Sequence, residues 1–351
     1  MSNPVFVINS LVRENVARMK PYSSARDEFT DFEAEMVFLD ANENPFNNGV
    51  NRYPDPHHVT LKQHLSSVKR VPVDQILFGN GSDEVLDLIY RAFCEPKVDN
   101  VITLPPTYGM YKVLAETNAI ENREVLLDDL DFQPDVDNII RAMDTRSKLL
   151  FLCSPNNPTG NSFDADKIKY LLGNFQGLVV IDEAYIDFAP GESWTSELHN
   201  YPNLIVTQTL SKAYGMAGIR LGIAFASVEI IAVLNKIKPP YNVNELTQKK
   251  ALERILDQAA VKSEINSILN QKKLLSKALL EVDFVKKLYK SDANFLLAKV
   301  DDANKRYEQL IKEGVVVRNR SSQPLCENTL RFTIGTAEEN KRLIIALKSI
   351  A

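Results

Sequence analysis

The sequence predicts an α/β protein with a mainly parallel central sheet, helices on both faces of that sheet, and a smaller α+β domain. Three observations predict it. As far as Pro239, short apolar runs alternate with helical patterns, which is the signature of βαβ units. Two of those runs, Leu149-Leu-Phe-Leu-Cys153 and Leu178-Val-Val-Ile181, are apolar without alternation, as strands covered on both faces are. Beyond Pro239 and Pro240 the pattern changes to long stretches with few breakers.

In order, residues 75–78 read as a strand, 79–81 as a turn and 82–94 as a helix. Residues 100–104 form a second expected strand, closed by Pro105 and Pro106, and residues 148–153 a third, closed by Pro155 and Pro158. Residues 178–181 and 204–207 are the fourth and fifth. Residues 244–280 then read as long helices, and 294–299, 315–318 and 330–334 as short strands with helices between and after them. The expected division is a large domain over residues 37–243, with residues 1–36 as an N-terminal arm joining a small domain at 244–351.

Bulk composition fits this plan. A chain of 351 residues is long for one core, which favours two domains, and 44% hydrophobic residues supply the material for both. A net charge of −5 gives no basic surface for nucleic acid, although small anions need only a few local cations. Cys94, Cys153 and Cys326 are far apart and odd in number, so reduced thiols are expected. His57, His58 and His64 lack further ligands at metal-binding spacing, and no metal site is expected. No basic n-region with an apolar stretch opens the chain, and no apolar run approaches the roughly 20 residues of a membrane span. A cytoplasmic protein is expected.

Four segments carry chemistry. In Thr209-Leu-Ser-Lys-Ala-Tyr-Gly-Met-Ala-Gly-Ile-Arg220 a lysine follows a strand among small residues, with two hydroxyls before it and an arginine eight residues on. Lys212 suits a Schiff-base lysine, which needs a confined position and a lowered amine pKa. Thr209, Ser211 and Arg220 suit a phosphate. Taken alone the segment also fits a polar loop with a solvated lysine. Ser154-Pro-Asn-Asn-Pro-Thr-Gly160 follows a buried strand at the end where α/β sheets bind ligands, and Asn157 would present its amide there; a rigid turn is the other reading. In Val179-Val-Ile-Asp-Glu-Ala-Tyr185 the carboxylate of Asp182 ends an apolar strand, a costly position unless a cation such as a protonated pyridine nitrogen pairs with it. Tyr185 can reach back with its hydroxyl, and a turn-capping aspartate is the alternative. Gly79-Asn-Gly-Ser-Asp-Glu84 offers helix-start N–H groups to a phosphate, or an ordinary N-cap, with Ser82 and Asp83 in the first turn. Tyr108 suits ring stacking or core packing, and Tyr53 suits an anion contact or a surface turn.

Taken together and in this order, the segments resemble the fold type I aminotransferases that use pyridoxal 5′-phosphate. Lys20-Pro-Tyr22, Leu39-Asp-Ala-Asn-Glu-Asn-Pro45, Arg52-Tyr-Pro-Asp55, Pro240-Tyr-Asn-Val-Asn244, Val315-Val-Val-Arg318 and Leu330-Arg-Phe-Thr-Ile-Gly335 narrow the resemblance to the histidinol-phosphate aminotransferases of histidine biosynthesis. The resemblance spans residues 21–335. It implies that Lys212 carries the cofactor covalently, that Asp182 pairs with the pyridine nitrogen, and that Asn157 and Tyr185 contact the ring's 3′-oxygen, with Lys212, Asp182 and Tyr185 as the catalytic group. It implies that Tyr108 stacks on the ring, while Gly81, Ser82, Ser211 and Arg220 hold the phosphate with Asp83 and Thr209 beside them.

Tyr53 would reach the cofactor phosphate of a neighbouring subunit, so a homodimer with shared active sites is implied. Arg331 would bind the substrate's carboxylate or phosphate. Tyr22 and Arg318 would lie near the substrate phosphate, and Asn42 and Glu43 would border the substrate. Arg318 lies thirteen residues before Arg331, the family spacing, but Arg320 offers a second arginine where the family has one dependable position. The implied reaction joins L-histidinol phosphate and 2-oxoglutarate to give imidazole-acetol phosphate and L-glutamate. An aromatic or general amino acid aminotransferase, a threonine-phosphate decarboxylase and a non-catalytic binding protein are the competing readings.

Overall fold

The computed structural model describes residues 7–22 and 37–351, so most of the expected N-terminal arm lies outside the described residues. Helices α1 (Glu14–Arg18) and α2 (Val59–Lys69) precede strand β1 (Ile76–Asn80). There follow α3 (Ser82–Phe93), β2 (Asn100–Thr103), α4 (Met110–Thr117), β3 (Glu121–Glu124), α5 (Val136–Ala142), β4 (Ser147–Cys153), α6 (Ala165–Asn174), β5 (Leu178–Asp182), β6 (Leu204–Thr209), β7 (Leu221–Ala226) and α7 (Val228–Ile237). The strands form one seven-stranded sheet in the order β1-β7-β6-β5-β4-β2-β3. All neighbours pair in parallel except β7, which runs antiparallel to both β1 and β6.

The sheet is covered on both faces because alternate residues of each central strand point to opposite sides. Leu77, Leu149, Phe151, Val180, Ile205 and Ala224 enter a core with apolar residues of α1, α3, α4 and α7. Ile76, Phe78, Leu150, Leu152, Ile181 and Val206 enter a second core with α2, α5 and α6. Both faces being buried is why these runs lack a polar alternation.

The chain then leaves the sheet through α8 (Glu245–Leu256) and α9 (Gln258–Leu280). Asp257 separates the two, closing α8 and capping α9 by accepting the Ala260 N–H at 3.1 Å. Strands β8 (Val285–Leu288), β9 (Phe295–Val300), β10 (Arg318–Asn319) and β11 (Thr329–Thr333) form an antiparallel sheet in the order β10-β11-β9-β8. With α9, α10 (Ala303–Lys312) and α11 (Ala337–Ser349) it encloses a third core. Among the described residues no helix is long and apolar enough to cross a membrane.

Several local expectations change. The expected turn at 79–81 starts later: Gly79 and Asn80 still pair with β7, and the backbone turns only at Gly81, whose φ is 82°. Of the strand expected at 315–318, only Arg318 pairs with β11. The Val315 N–H is taken by Leu310 O at the end of α10 and Val316 is 79% exposed, so that stretch is a helix exit. Strands β3, with the polar sequence Glu-Asn-Arg-Glu, β7 and β8 are additions to the expected set.

At the seam between the sheet and α3, Gly222 allows a very close approach. A Cβ there would stand 2.2 Å from Ser82 N and 2.5 Å from Gly81 O, both backbone atoms that cannot swing away. Gly222→Ala is expected to cost about 3 kcal/mol of stability through overpacking. Urea unfolding of the holoprotein checks this, and an unchanged midpoint would show that the seam yields.

Candidate active site

The carboxyl ends of the central strands and the small sheet together line a cavity of about 410 Å³. Asp182 ends β5, Thr209 ends β6, Asn157 follows β4 and Tyr108 follows β2. Arg318, Arg320 and Arg331 enter from the small sheet.

One end is built for an anion. Helix α3 starts at Gly81 with no side-chain cap, which leaves its first N–H groups facing outward with the positive end of the helix dipole. Arg220 lies so close to Gly81 that a Cβ there would be 2.5 Å from its Nη2. Arg220 stands 3.5 Å from Asp83 Oδ2, a half-exposed pair that fixes direction more than it adds energy. Thr209 Oγ1 accepts the Ser211 N–H at 3.1 Å and its hydroxyl donates to Ser211 Oγ at 3.0 Å, holding both hydroxyls at this end.

The floor is a buried acid. Asp182 is 3% exposed, accepting the Tyr111 hydroxyl at 2.7 Å and the Ala184 N–H at 3.2 Å. No lysine or arginine among the described residues forms an ion pair with it. Burial therefore pushes its carboxyl above the ordinary range, against the opposing pull of the Tyr111 hydrogen bond. Tyr111 is itself fixed: it stacks on Phe151 at 4.9 Å and its backbone carbonyl accepts from Tyr90. The next residue, Glu183, is buried too, pushed up to about 7 by burial, and accepts from Ser193, Trp194 and Gln208 behind the site.

Above the floor, Asn157 Nδ2 donates to the Tyr185 hydroxyl at 3.3 Å, and Arg331 donates to Asn157 Oδ1. Lys212 Nζ lies 5.8 Å from the Tyr185 ring centroid. Burial lowers the Lys212 amine pKa, and Arg331 and Arg220 lower it further against Asp182. Tyr108 forms one side, its hydroxyl donating to Asp83 at 3.0 Å and its ring meeting Tyr111 edge-on. On the small sheet Arg331 and Arg318 are direct partners, with the Arg331 guanidinium 5.0 Å from the Phe295 ring.

These donors fit pyridoxal 5′-phosphate: a helix start, hydroxyls and Arg220 for a phosphate, a buried acid lacking a cation for a protonated ring nitrogen, Tyr108 for the ring face, and a lysine amine between. Of the residues singled out in the sequence, Gly81, Tyr22, Asn42, Glu43 and Tyr53 are not among those that line this cavity within one chain, although Gly81 adjoins Arg220 at its edge. Tyr22 is 71% exposed. Glu43 accepts from Arg52 at 2.7 Å and from the Tyr53 N–H at 2.7 Å, and the Tyr53 ring stacks on Tyr241 at 4.4 Å. Tyr111 is an addition to the residues singled out in the sequence; it lies in the first turn of α4, three residues after Tyr108.

The sequence pattern of the "Aminotransferase class I and II" family matches residues 29–347. The histidinol-phosphate aminotransferase of Flavobacterium johnsoniae is 65% identical over 344 residues, 98% of each chain. Among solved structures, the histidinol-phosphate aminotransferase of Clostridium acetobutylicum has a TM-score of 0.79 at 25% identity, covering 86% of this chain and 91% of that one. The Sinorhizobium meliloti histidinol-phosphate aminotransferase, solved in complex with pyridoxal-5′-phosphate, shares the fold with a TM-score of 0.77 at 22% identity over 86% of this chain and 84% of its own. The chain belongs to the class I and II aminotransferase family and, within it, to the histidinol-phosphate aminotransferases.

Proposed function

We propose that the protein is a pyridoxal 5′-phosphate enzyme of histidine biosynthesis that converts L-histidinol phosphate and 2-oxoglutarate to imidazole-acetol phosphate and L-glutamate. The observation that carries this reading is the placing of the Lys212 amine between a phosphate cradle and a wall of arginines, over a buried acid without a cation. The near full-length similarity to histidinol-phosphate aminotransferases supports the substrate pair.

Bound, the cofactor supplies an electron-accepting ring. The chain does the rest. Asp182 holds a proton at the ring nitrogen. Tyr185 and Asn157 hold the ring's 3′-oxygen by hydrogen bonds. Ser82, Ser211, Thr209, Arg220 and the start of α3 grip the phosphate, with Asp83 orienting Arg220. Lys212 would hold the cofactor covalently, and its amine would serve as the base for the proton at the substrate's Cα. Arg331 and Arg318 orient the anionic end of either substrate, because guanidinium binds carboxylate and phosphate alike.

The working unit is a homodimer in the cytoplasm. Tyr53, 52% exposed and preceded by a segment that bares Val37, Leu39 and Phe46, would serve the partner subunit's cofactor phosphate, and Tyr22, Asn42 and Glu43 would border the substrate in that assembly. An amino-transfer assay tests the reading. Glutamate formed from histidinol phosphate and 2-oxoglutarate is the expected product. Faster transfer from phenylalanine, or release of CO₂ from threonine phosphate without transfer, would replace the proposed reaction.

A further inference from the structure

The wall opposite the phosphate cradle holds more positive charge than a single carboxylate requires. Arg318 and Arg331 are paired across β10 and β11, and Arg320 lies two residues further on, its backbone N–H donating to Thr329 O at 2.9 Å. All three line the cavity. The charged groups that act most on Arg320 are Arg331 and Arg318 themselves, with the weak acids Tyr185 and Cys326 beside them, and among the described residues no carboxylate forms an ion pair with it. Arg331 donates to the neutral Asn157, and the buried Nε atoms of both Arg320 and Arg331 meet no acceptor. Burial and the two neighbouring guanidiniums push Arg320 down to about 10.

Three clustered cations with no ion-pair partner among the described residues are costly in a partly buried wall, and an anionic ligand relieves that cost. A carboxylate brings one charge and two oxygens. A phosphate monoester brings close to two charges and three acceptor oxygens near neutral pH. Arg331 and Arg318 suffice for the first, and the third guanidinium matches the second. The cluster comes from the small sheet, whereas the cofactor-phosphate cradle, where Arg220 pairs with Asp83, is built from the start of α3 and the loop after β6.

We propose that Arg320 is a specificity-determining residue that binds the phosphate of the amino donor together with Arg318 and Arg331, favouring a phosphorylated amine over glutamate. The inference deepens the proposed function and rests on it for the identity of the donor.

Arg320→Gln and Arg320→Lys test it in the holoenzyme, with the two half-reactions followed separately by cofactor absorbance. Arg320→Gln is expected to raise the KM for histidinol phosphate about ten- to a hundredfold, the scale of one charge-assisted contact, with kcat little changed. The glutamate half-reaction is expected to change by less than about threefold, and Arg320→Lys to recover part of the loss. Inorganic phosphate titrated calorimetrically into holoenzyme, whose cofactor-phosphate site is filled, is expected to bind at least about tenfold more weakly to Arg320→Gln than to the unmodified protein.

Equal losses on both substrates, or none, overturn the proposal. If Arg320→Gln fails to fold, Arg320→Lys decides: a raised KM confined to the phosphorylated donor supports it, and an unchanged one overturns it. If the unmodified enzyme does not use histidinol phosphate, the proposed function falls, and the inorganic phosphate titration still decides for or against Arg320.

Discussion

Replacing Lys212 by alanine is expected to lower turnover by about 10⁴-fold or more while leaving cofactor bound without a covalent link. The size follows from the two tasks that meet on one amine, covalent attachment and proton transfer at Cα, the second alone contributing up to about 10⁴-fold. The cavity prepares the amine for both. A neutral amine attacks an aldehyde and accepts a proton, and burial, Arg331 and Arg220 all lower the Lys212 pKa and so enlarge the neutral fraction near pH 7. Two half-buried lysines have different work. Lys69 Nζ is paired with Asp187 at 3.1 Å, and Lys272 Nζ donates to Ser291 O and Ala293 O at 2.9 Å each. The phosphate cradle and Asp182 survive the substitution, so the cofactor keeps most of its other contacts. Borohydride reduction of holoprotein followed by peptide mass mapping checks the assignment: the pyridoxyl group is expected on Lys212 and absent from Lys212→Ala. A label on another lysine, or turnover within about tenfold of the unmodified enzyme, defeats it.

The sheet was legible where burial is symmetrical. Strands β4, β5 and β6 are covered on both faces, so their sequences are plain apolar runs whose ends were read to within two residues. Strand β3 escaped notice because an edge strand exposes polar residues and its sequence carries no apolar signal. Strand β7 is apolar and fully buried, but it directly follows Arg220 with no turn or breaker residue between them to mark its start. The proposed cofactor side of the cavity was legible because its groups sit at strand ends, where sequence position almost fixes place. The arginine wall was less so. Its membership depends on β10 pairing with β11 in a register that no local pattern prints, and the sequence left Arg318 and Arg320 as alternatives where the fold brings both to the cavity. Tyr22, Asn42, Glu43 and Tyr53 lie on surface segments held by local bonds such as Arg52 to Glu43, and their place in a site is a question of assembly, which one chain's contacts do not encode.

Asp182→Asn is expected to reduce kcat by about 10³-fold, the scale of removing a preorganised electrostatic contact, with little change in KM. The substitution keeps the shape of the side chain and removes its charge. The arginines proposed to orient substrate are untouched, whereas a neutral amide would no longer hold a proton at the ring nitrogen, and the ring would accept electron density less readily. Stability offers a second, opposite signature. In the apoprotein Asp182 is a buried acid without a cation, and burial raises its carboxyl pKa above the unfolded value. A raised pKa means that the folded state keeps a proton the unfolded state has lost. The contribution of this group is therefore full at low pH and declines as pH climbs from the ordinary carboxylate range through the raised folded value. Asp182→Asn removes that decline, so the apoprotein variant is expected to be as stable as the parent or more so at pH 8, and to show a flatter dependence on pH. With cofactor bound the order reverses, because the protonated ring nitrogen is the missing counter-charge and the asparagine variant gains less stability from it. Thermal unfolding of both proteins, with and without pyridoxal 5′-phosphate at two pH values, reads all four states. A variant destabilised equally in every state, or one that turns over at the parent rate, would place Asp182 among ordinary structural residues and leave the ring nitrogen without its proton holder.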